Sequence, residues 1–539
     1  MNTAQHVPVL IAGGGMVGLS AALLLEYHSV PYVLVERRSA MSVLPRSRGV
    51  HTRSAEIFRQ IGALPRLEQV AATALVKGHF GGAWQGSALT DAQPLDLSRV
   101  VAAMAAGDPS PSNFLFLPQV LLEPVLADLA RDRGGDLRFG VELTEFHDDG
   151  DSVAATLRDA DGASTTLRAD YLIAADGAGS TVRRALGIGG WELPPTQHLI
   201  NVFARTDLTG ILRGQSFSQC EINGERVRGL VLSKNNTDEW SFHIEYDPDA
   251  ETLADYPVSR CVELIREMVG VPELEVELLA RSAWDTGVFV ADDYRRGRVF
   301  LVGDAAHRHA PWGGFNGNTG IADAHNLIWK LAAVRSGAAG PALLDSYVAE
   351  RRPRALVAAE QARLGTDFRT RYGIETPYNA ADLAARLDGG DVMGRYRYSS
   401  TAVSDAPAPL HVDDLKGQNG TRVPHLWIDA AETASTLDLC GPGFALLVAG
   451  TSAAWRDAAA QAERDTGTDL AVHALPQAEW SARTEVPSGG ALLVRPDMHV
   501  AARSDTGLTP ATLTETLRAI TGRGAKADVA EDAPMQSAV

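Results

Sequence analysis

The first part of the chain alternates short apolar runs with helical sequence. Residues 7–12 form an apolar run that ends in glycines, which predicts a buried parallel strand. An Ala/Leu-rich segment at 19–27 predicts a helix, and residues 32–36 predict a second strand. Much later, residues 171–177 and 299–304 repeat the pattern of an apolar strand that ends in Asp and Gly. These strands fit one sheet of an α/β fold assembled from distant segments.

The pattern changes between about residues 190 and 290. Residues 240–246 alternate with a period of two, as a half-buried antiparallel strand does. We interpret this region as an inserted β-sheet that covers a substrate. Most of its stripe of Trp240, Phe242, Ile244 and Tyr246 is expected in the sheet core rather than in a pocket. Residues 321–364 carry apolar positions every three or four residues, which predicts helix.

The last part of the chain reads as a separate small domain. A proline-punctuated stretch at 406–409 predicts a linker. Beyond it, residues 444–449 and 490–495 predict strands, with a helix near 452–466 between them. The polar tail from about Lys526 is expected to fray.

Composition narrows the function classes. A length of 539 residues predicts two or three domains. The 49 basic and 67 acidic residues give a net charge of −18, which argues against nucleic acid as the main partner. The sequence shows neither a membrane-spanning apolar stretch nor a signal peptide, so a cytoplasmic location is expected. Cys220, Cys261 and Cys440 are too few and too far apart for a disulfide framework or a cysteine-based zinc site.

The first chemical signal is a glycine pattern between the first predicted strand and helix. Gly13 permits a tight turn, Gly15 lets the backbone approach a pyrophosphate, and Gly18 lets helix and strand pack closely. The free N–H groups at the helix start favour a phosphate. Glu36 ends the second strand, where a carboxylate can accept hydrogen bonds from ribose hydroxyls. Together these features predict dinucleotide binding.

Two further signals lie far along the chain. Asp304 stands at a strand end in residues 303–307, where a carboxylate can bind a ribityl or ribose hydroxyl. The glycine-rich residues 311–320 open a helix and offer N–H donors to the carbonyl edge of a flavin. Asp176 ends the strand at 171–175, with Ser180 and Arg183 behind it.

With these three motifs in order, the chain resembles the group A flavoprotein aromatic monooxygenases, the para-hydroxybenzoate hydroxylase-like family. The resemblance covers about residues 5–370 and is nearest to the branch that hydroxylates bacterial aromatic polyketides, including aklavinone-type anthracycline hydroxylases. It implies a Rossmann-like FAD-binding domain at 1–189 and 291–395 and a substrate-binding β-sheet at 190–290. It also implies a thioredoxin-like domain at 396–539, here without a Cys-x-x-Cys pair.

Carried over by position, the resemblance assigns the FAD site. Gly13, Gly15, Gly18 and Glu36 would hold the ADP half, and Asp304 the ribityl chain. Arg46 matches an arginine near the flavin and pyrophosphate, and Gln119 matches a glutamine at the ribityl or ribose region. Asp176 has a mixed role in FAD positioning and NAD(P)H access. The remaining assigned positions are Arg37 beside Glu36 and, around the isoalloxazine ring, Pro311, Gly314, Asn316, Gly317 and Asn318.

One position departs from the family pattern. The turn usually reads Gly-Gly-x-Gly-x-Asn, but Asn316 replaces its later glycine. If the backbone needs a positive φ there, Asn is the least costly substitute. Trp312 stands where smaller residues are common and is a candidate wall of the flavin pocket.

Other polar residues receive structural interpretations. The spacing of His307, His309, His243 and His325 indicates no metal site, and the first two are expected in flavin-loop packing or at the surface. The arginine-rich segment 351–354 is expected on a solvated helix face or at an interface. Arg369 and Arg371 are weaker candidates for the mouth of a substrate site.

The resemblance also implies a reaction cycle. NADH or NADPH would bind transiently and reduce the flavin, and O2 would form a C4a-hydroperoxide that hydroxylates a polycyclic phenol. The sequence leaves alternatives open: Baeyer–Villiger oxidation or epoxidation, inactivation of an antibiotic, or an oxygen-independent flavin protein that binds a polycyclic ligand. It also leaves open whether the protein is a monomer or a homodimer.

Overall fold

The computed structural model describes residues 5–43, 47–74, 82–98, 109–235, 237–405, 411–451 and 453–523. Arg46, the proposed linker at 406–409 and the tail from Lys526 lie outside these ranges. The chain divides into two compact units. The first comprises Met1–Ile328 and Arg351–Arg395, and the second comprises Trp329–Glu350 and Tyr396–Val539.

The main sheet of the first unit is built from segments far apart in sequence, as the apolar runs predict. Gln5–Ala12 pairs in parallel with Tyr32–Glu36 on one side and with Ser164–Ala174 on the other. Val299–Leu301 pairs in parallel with Ser164–Ala174. The carboxyl ends of the strands Gln5–Ala12, Tyr32–Glu36 and Ser164–Ala174 are buried, because helices cover a parallel sheet on its faces. The remaining strands of this sheet are Asp136–Phe139, Arg295–Arg296, Glu142–Asp148 and Val153–Arg158.

Helices pack around this sheet. Met16–Tyr27 follows the first strand and is buried from Val17 to Leu25, because its Ala and Leu side chains lie on every face. Gln119–Asp132 packs beside it. The helical pattern predicted over residues 321–364 is in fact two helices, Phe315–Arg335 and Asp345–Leu364. The other helices outside the C-terminal region are Thr52–Gln60, Leu64–Ala74, Thr181–Ala185, Thr209–Leu212, Val258–Val269, Phe368–Arg371, Ala380–Ala385 and Gly389–Met393.

A seven-stranded sheet forms the second layer of the first unit. Its order is Glu277–Asp285, His198–Arg205, Glu239–Glu245, Arg228–Ser233, Gln219–Asn223, Ala83–Gly86 and Gln93–Pro94. Its core contains Trp240, Phe242 and Ile244, as predicted. The prediction of a half-buried strand at 240–246 is wrong, because Ser241 and His243 on the opposite face are buried too. A central strand covered on both faces keeps the same alternating pattern.

Smaller pairings complete the first unit. Gly190–Leu193, Val288–Ala291 and His307–Arg308 form a three-stranded sheet. Gly49–Val50 pairs with Leu115–Phe116.

The second unit contains a four-stranded sheet. Phe444–Ala449 lies between Leu470–Leu475 and Ala491–Val494, and Val500–Arg503 pairs outside the latter. This agrees with the predicted strands at 444–449 and 490–495. The described helices of its C-terminal segment are Ala453–Thr466, Gln477–Thr484 and Leu513–Ile520. The thioredoxin-like assignment of this region stays a prediction.

A buried charge cluster lies within the second unit. Glu350 accepts hydrogen bonds from Lys330 (2.8 Å) and from both terminal nitrogens of Arg495 (2.6 and 2.9 Å). All three side chains have 0% exposure. Because a buried carboxylate needs compensating charge, this pairing satisfies Glu350 inside the unit. Across the described part of the chain, no helix is long and apolar enough to span a bilayer.

Candidate functional site

One cavity gathers the motifs that the sequence placed apart. It lies at the carboxyl ends of the parallel strands, has a volume of about 330 Å³, and is lined entirely by residues of the first unit. Ligands of open α/β sheets bind at this edge. Gly18 and Asn318 are absent from the wall, and Arg46 lies outside the described residues. The predicted residues on the wall are Gly13, Gly15, Glu36, Arg37, Gln119, Asp176, Asp304, Pro311, Gly314, Asn316 and Gly317.

The first glycine turn is shaped by close backbone approach. Gly13 has φ +115°, and a Cβ there would lie 2.2 Å from the carbonyl oxygen of Ala175. A Cβ on Gly18 would lie 2.0 Å from the carbonyl oxygen of Gly13. Gly15 directly precedes the helix Met16–Tyr27 on the cavity wall. The turn therefore leaves an open cradle at a helix N-terminus, which fits the pyrophosphate of a dinucleotide.

Glu36 is held as a carboxylate at the end of its strand. It accepts the N–H of Gly14 (2.8 Å) and the N–H and Nε–H of Arg38 (3.0 and 3.1 Å). Burial favours the neutral acid, but these hydrogen bonds and the Arg38 charge outweigh it and lower the pKa of Glu36. An ionised, fixed carboxylate here suits ribose hydroxyls, and Arg37 lies on the cavity wall next to it.

A second acid, which sequence reasoning missed, caps the phosphate-turn helix. Glu123 accepts the Met16 N–H (3.0 Å) and the side-chain amide of Gln119 (2.6 Å). Both Gln119 and Glu123 line the cavity. The spacing of four residues on one helix was the available signal, since it places Glu123 one turn beyond Gln119.

Asp176 lies on the cavity wall but is engaged locally. Its carboxylate accepts the backbone N–H groups of Thr181 (2.8 Å) and Val182 (3.2 Å) and so caps the helix Thr181–Ala185. Arg183 of that helix donates to the carbonyl oxygen of Ala305 at 2.7 Å. The DG motif is thereby tied to the turn that carries Asp304.

The second glycine turn differs from the sequence expectation at Asn316. Positive φ values occur at Gly313 (+83°) and Gly314 (+66°). Asn316 lies inside the helix Phe315–Arg335, so it does not need the conformational freedom of glycine. Asn318 donates to the carbonyl oxygens of Gly49 (3.1 Å) and Gly314 (2.8 Å), which fixes the turn from behind.

Behind this turn lies a buried charged chain. His307 bonds through Nδ1 to Asn316 (3.0 Å) and through Nε2 to Asp323 (2.8 Å), and Arg351 donates to Asp323 at 2.8 Å. Burial favours neutral Asp323, but the charges of Arg351 and His307 outweigh it and lower the pKa of Asp323. Arg351 is 2% exposed and Arg354 is 5% exposed, so the expected solvated face at these two arginines is wrong.

Trp312 does not form the predicted wall of the flavin pocket. It is not on the cavity wall, and it packs in an apolar cluster with Leu230, Phe315 and Val392. The guanidinium carbon of Arg371 lies 3.6 Å from its ring centroid, a cation–π contact. Burial lowers the pKa of Arg371 to about 10. Burial also raises the pKa of Glu221, whose charge interacts with Arg371, to about 7.

Comparisons with known proteins bear on the whole chain. Residues 6–362 match the family described as FAD binding domain, and residues 416–524 match the C-terminal region of aromatic-ring hydroxylases. A putative polyketide hydroxylase of Streptomyces halstedii is 38% identical over 527 residues, covering 93% of this chain and 94% of that protein. Tetracenomycin B2 monooxygenase-dioxygenase of Streptomyces olivaceus is 37% identical over 537 residues, covering 93% and 96%.

A solved structure extends the likeness to three dimensions. Aklavinone-11 hydroxylase, in a ternary complex with FAD and aklavinone, is 33% identical with a TM-score of 0.84. The match covers 97% of this chain and 100% of that chain. The predicted α/β fold is thereby confirmed.

Proposed function

Because this chain belongs to the FAD-dependent aromatic-ring hydroxylases of the polyketide-hydroxylase branch, we propose that it hydroxylates a polycyclic aromatic phenol of polyketide type. The reaction consumes O2 and either NADH or NADPH. The observation that carries this proposal is the single cavity that joins the Gly13 turn to Asp304 and the second glycine turn. Nearly 300 residues separate these parts, and each suits a different portion of FAD.

Different residues of the cavity would bind different parts of FAD. The Gly13–Gly15 turn and the helix after it take the pyrophosphate, and Glu36 takes ribose hydroxyls. Asp304 takes the ribityl chain. The N-terminal residues Asn316 and Gly317 of the helix Phe315–Arg335 line the cavity, where the positive dipole end of the helix would favour the negative charge of a reduced flavin ring. When bound, reduced FAD would activate O2, and one atom of that O2 is transferred to the aromatic ring of the substrate while the other leaves as water.

The polycyclic substrate would bind between the second glycine turn and the seven-stranded sheet. Support comes from that sheet, because Leu230 belongs to the apolar cluster that contains Trp312 and Leu232 packs against this cluster. Aromatic and aliphatic side chains there suit fused rings and exclude water. Arg371 and Glu221 bring charge to the same region. A guanidinium stabilises a phenolate oxygen, the more reactive form of a phenol toward an electrophilic oxygen.

The nicotinamide donor binds transiently. The sequence has no second Gly-x-Gly-x-x-Gly pattern, so a dedicated dinucleotide fold for NADH or NADPH is not expected. Reduction therefore takes place at the same flavin site from an exposed surface. Comparing flavin reduction rates with NADH and NADPH identifies the donor.

The test is an assay of purified protein with FAD, each nicotinamide and a panel of polycyclic phenols. We expect substrate-dependent O2 uptake and a product 16 mass units heavier by mass spectrometry, as one added oxygen atom requires. A lactone or an epoxide as product would assign the chain to the Baeyer–Villiger or epoxidising alternative. Loss of antibacterial activity of an oxidised drug would assign it to antibiotic inactivation. No O2 uptake with any substrate would refute monooxygenation and leave an oxygen-independent flavin protein.

A further inference from the structure

The side chain of Asn316 contacts both Asp304 and His307. None of the other side-chain contacts described above joins these two residues directly. Its amide Nδ2 donates to Asp304 Oδ1 at 2.7 Å, and its Oδ1 contacts His307 Nδ1 at 3.0 Å. Asp304 and Asn316 both lie on the cavity wall, whereas His307 is fully buried. The residue that replaces the family glycine thus bridges the cavity and the interior.

The direction of the bridge follows from donors and acceptors. An ionised Asp304 only accepts, so the amide must turn its NH2 group toward it and its oxygen toward His307. His307 Nδ1 therefore donates to Asn316. At the other ring nitrogen, the Asp323 carboxylate also only accepts, at 2.8 Å. Each ring nitrogen of His307 thus contacts one side-chain oxygen, of Asn316 or of Asp323.

The interior end of the bridge is rigid. Asp323 has 0% exposure and accepts from Arg351 Nε at 2.8 Å and from the Gly303 N–H at 3.1 Å. Arg351 also donates to the Thr319 carbonyl oxygen at 3.1 Å. Asp323 therefore fixes the backbone directly before Asp304. Asn316 fixes the Asp304 side chain itself, so the carboxylate is held from both sides.

The contacts run from a buried ion pair to the cavity. Arg351 is positive and pairs with the Asp323 carboxylate, and His307 and the neutral amide of Asn316 follow in order toward Asp304. Hydrogen bonds with an ionised partner are the stronger ones in proteins, and a hydrogen bond is electrostatically stronger in the buried interior than in water. Glycine at position 316 would have no side chain, so the hydrogen bonds to Asp304 and to His307 would both be lost.

We infer that Asn316 is a positioning residue which orients the Asp304 carboxylate for FAD by anchoring it to the buried His307–Asp323–Arg351 chain. The inference rests on the proposed function, because it takes the cavity as the FAD site. It assigns to Asn316 a contribution to FAD affinity that acts through Asp304 rather than through the fold. Asn316→Ala should therefore weaken FAD binding and leave the apoprotein stable.

The experiment is a double-mutant cycle on FAD affinity in the full-length protein. Deflavinated wild type, N316A, D304N and N316A/D304N are titrated with FAD, and the dissociation constant is read from flavin fluorescence. One lost charge-assisted hydrogen bond predicts about a tenfold to hundredfold weaker affinity for N316A. In the D304N background the additional effect of N316A should be several-fold smaller. Equal effects in both backgrounds, or wild-type affinity in N316A, would overturn the inference.

An isosteric variant keeps the test sound if N316A folds poorly. N316D has the size of asparagine but places a carboxylate against Asp304, so FAD should bind at least as weakly as to N316A. Wild-type affinity in N316D would also overturn the inference. Thermal unfolding of each apoprotein separates loss of fold from loss of positioning. If wild type itself binds no FAD, the proposed function fails instead.

Discussion

Gly18→Ala tests whether the first glycine turn is shaped for a ligand. In a helix, alanine is favoured over glycine by about 1 kcal/mol, so the change should stabilise an unconstrained site. Here the new Cβ would lie 2.0 Å from the Gly13 carbonyl oxygen and 3.1 Å from its carbon. Backbone atoms cannot rotate away, so the turn must move. Overpacking of this kind costs about 1–3 kcal/mol, which offsets or exceeds the helix gain.

The expected result is a net loss in apoprotein stability of up to about 2 kcal/mol and at least about tenfold weaker FAD binding, since the displaced turn is the one proposed to hold the pyrophosphate. Urea unfolding and FAD titration measure the two effects. Gly210→Ala is the matched control, because a Cβ on this helical glycine would meet no atom beyond its own turn within 4 Å. If G18A binds FAD like wild type and is as stable as G210A, the close-approach reasoning is refuted.

Three further predictions concern buried charge, each measured by urea unfolding. Burial raises the pKa of Glu221 from 4.5 to about 7, so wild type should lose stability as pH rises through that window and E221Q should not. Glu36 has the opposite sign: its lowered pKa stabilises the fold above pH 4.5, and E36Q should flatten the loss of stability at lower pH. E350Q should destabilise by about 3–5 kcal/mol, because Lys330 loses its buried carboxylate partner and Arg495 loses Glu350 while keeping Asp497. K330M should cost less, since Arg495 still pairs with Glu350.

Clear outcomes would contradict these predictions. A parallel pH profile for E221Q and wild type would show that Glu221 is not buried as described. If E36Q loses as much stability as wild type when the pH falls below 4.5, the Gly14 and Arg38 contacts do not lower the pKa of Glu36. Equal stability of E350Q and K330M would show that Glu350 is not the shared partner of the cluster.

Much of the nucleotide-binding half could be predicted from sequence because its signals are local. Apolar runs that end in glycine give buried parallel strands, and Gly13 and Gly18 stand where the backbone comes too close for any side chain. Asp304 was found because a polar residue at a parallel strand end points to the ligand edge of the sheet. Eleven of the assigned positions then meet on one cavity wall.

What sequence reasoning missed depends on long-range partners. Asp323 and Arg351 are 28 residues apart on different helices, and only the fold brings them together. A basic segment such as 351–354 therefore looks solvated in sequence although Arg351 is buried. The prediction that the strand Glu239–Glu245 is half-buried was wrong for a related reason, because burial of its second face depends on the elements that pack against it. At Asn316 the helix begins earlier than the glycine pattern suggested.

The most direct test of the central claim is the origin of the oxygen atom in the product. The holoenzyme is supplied with NADPH or NADH, a polycyclic phenol that elicits O2 uptake, and ¹⁸O2. The proposed function predicts one ¹⁸O atom in a new ring hydroxyl of the product by mass spectrometry. A hydroxyl that carries ¹⁶O from water, with no label from O2, would contradict it.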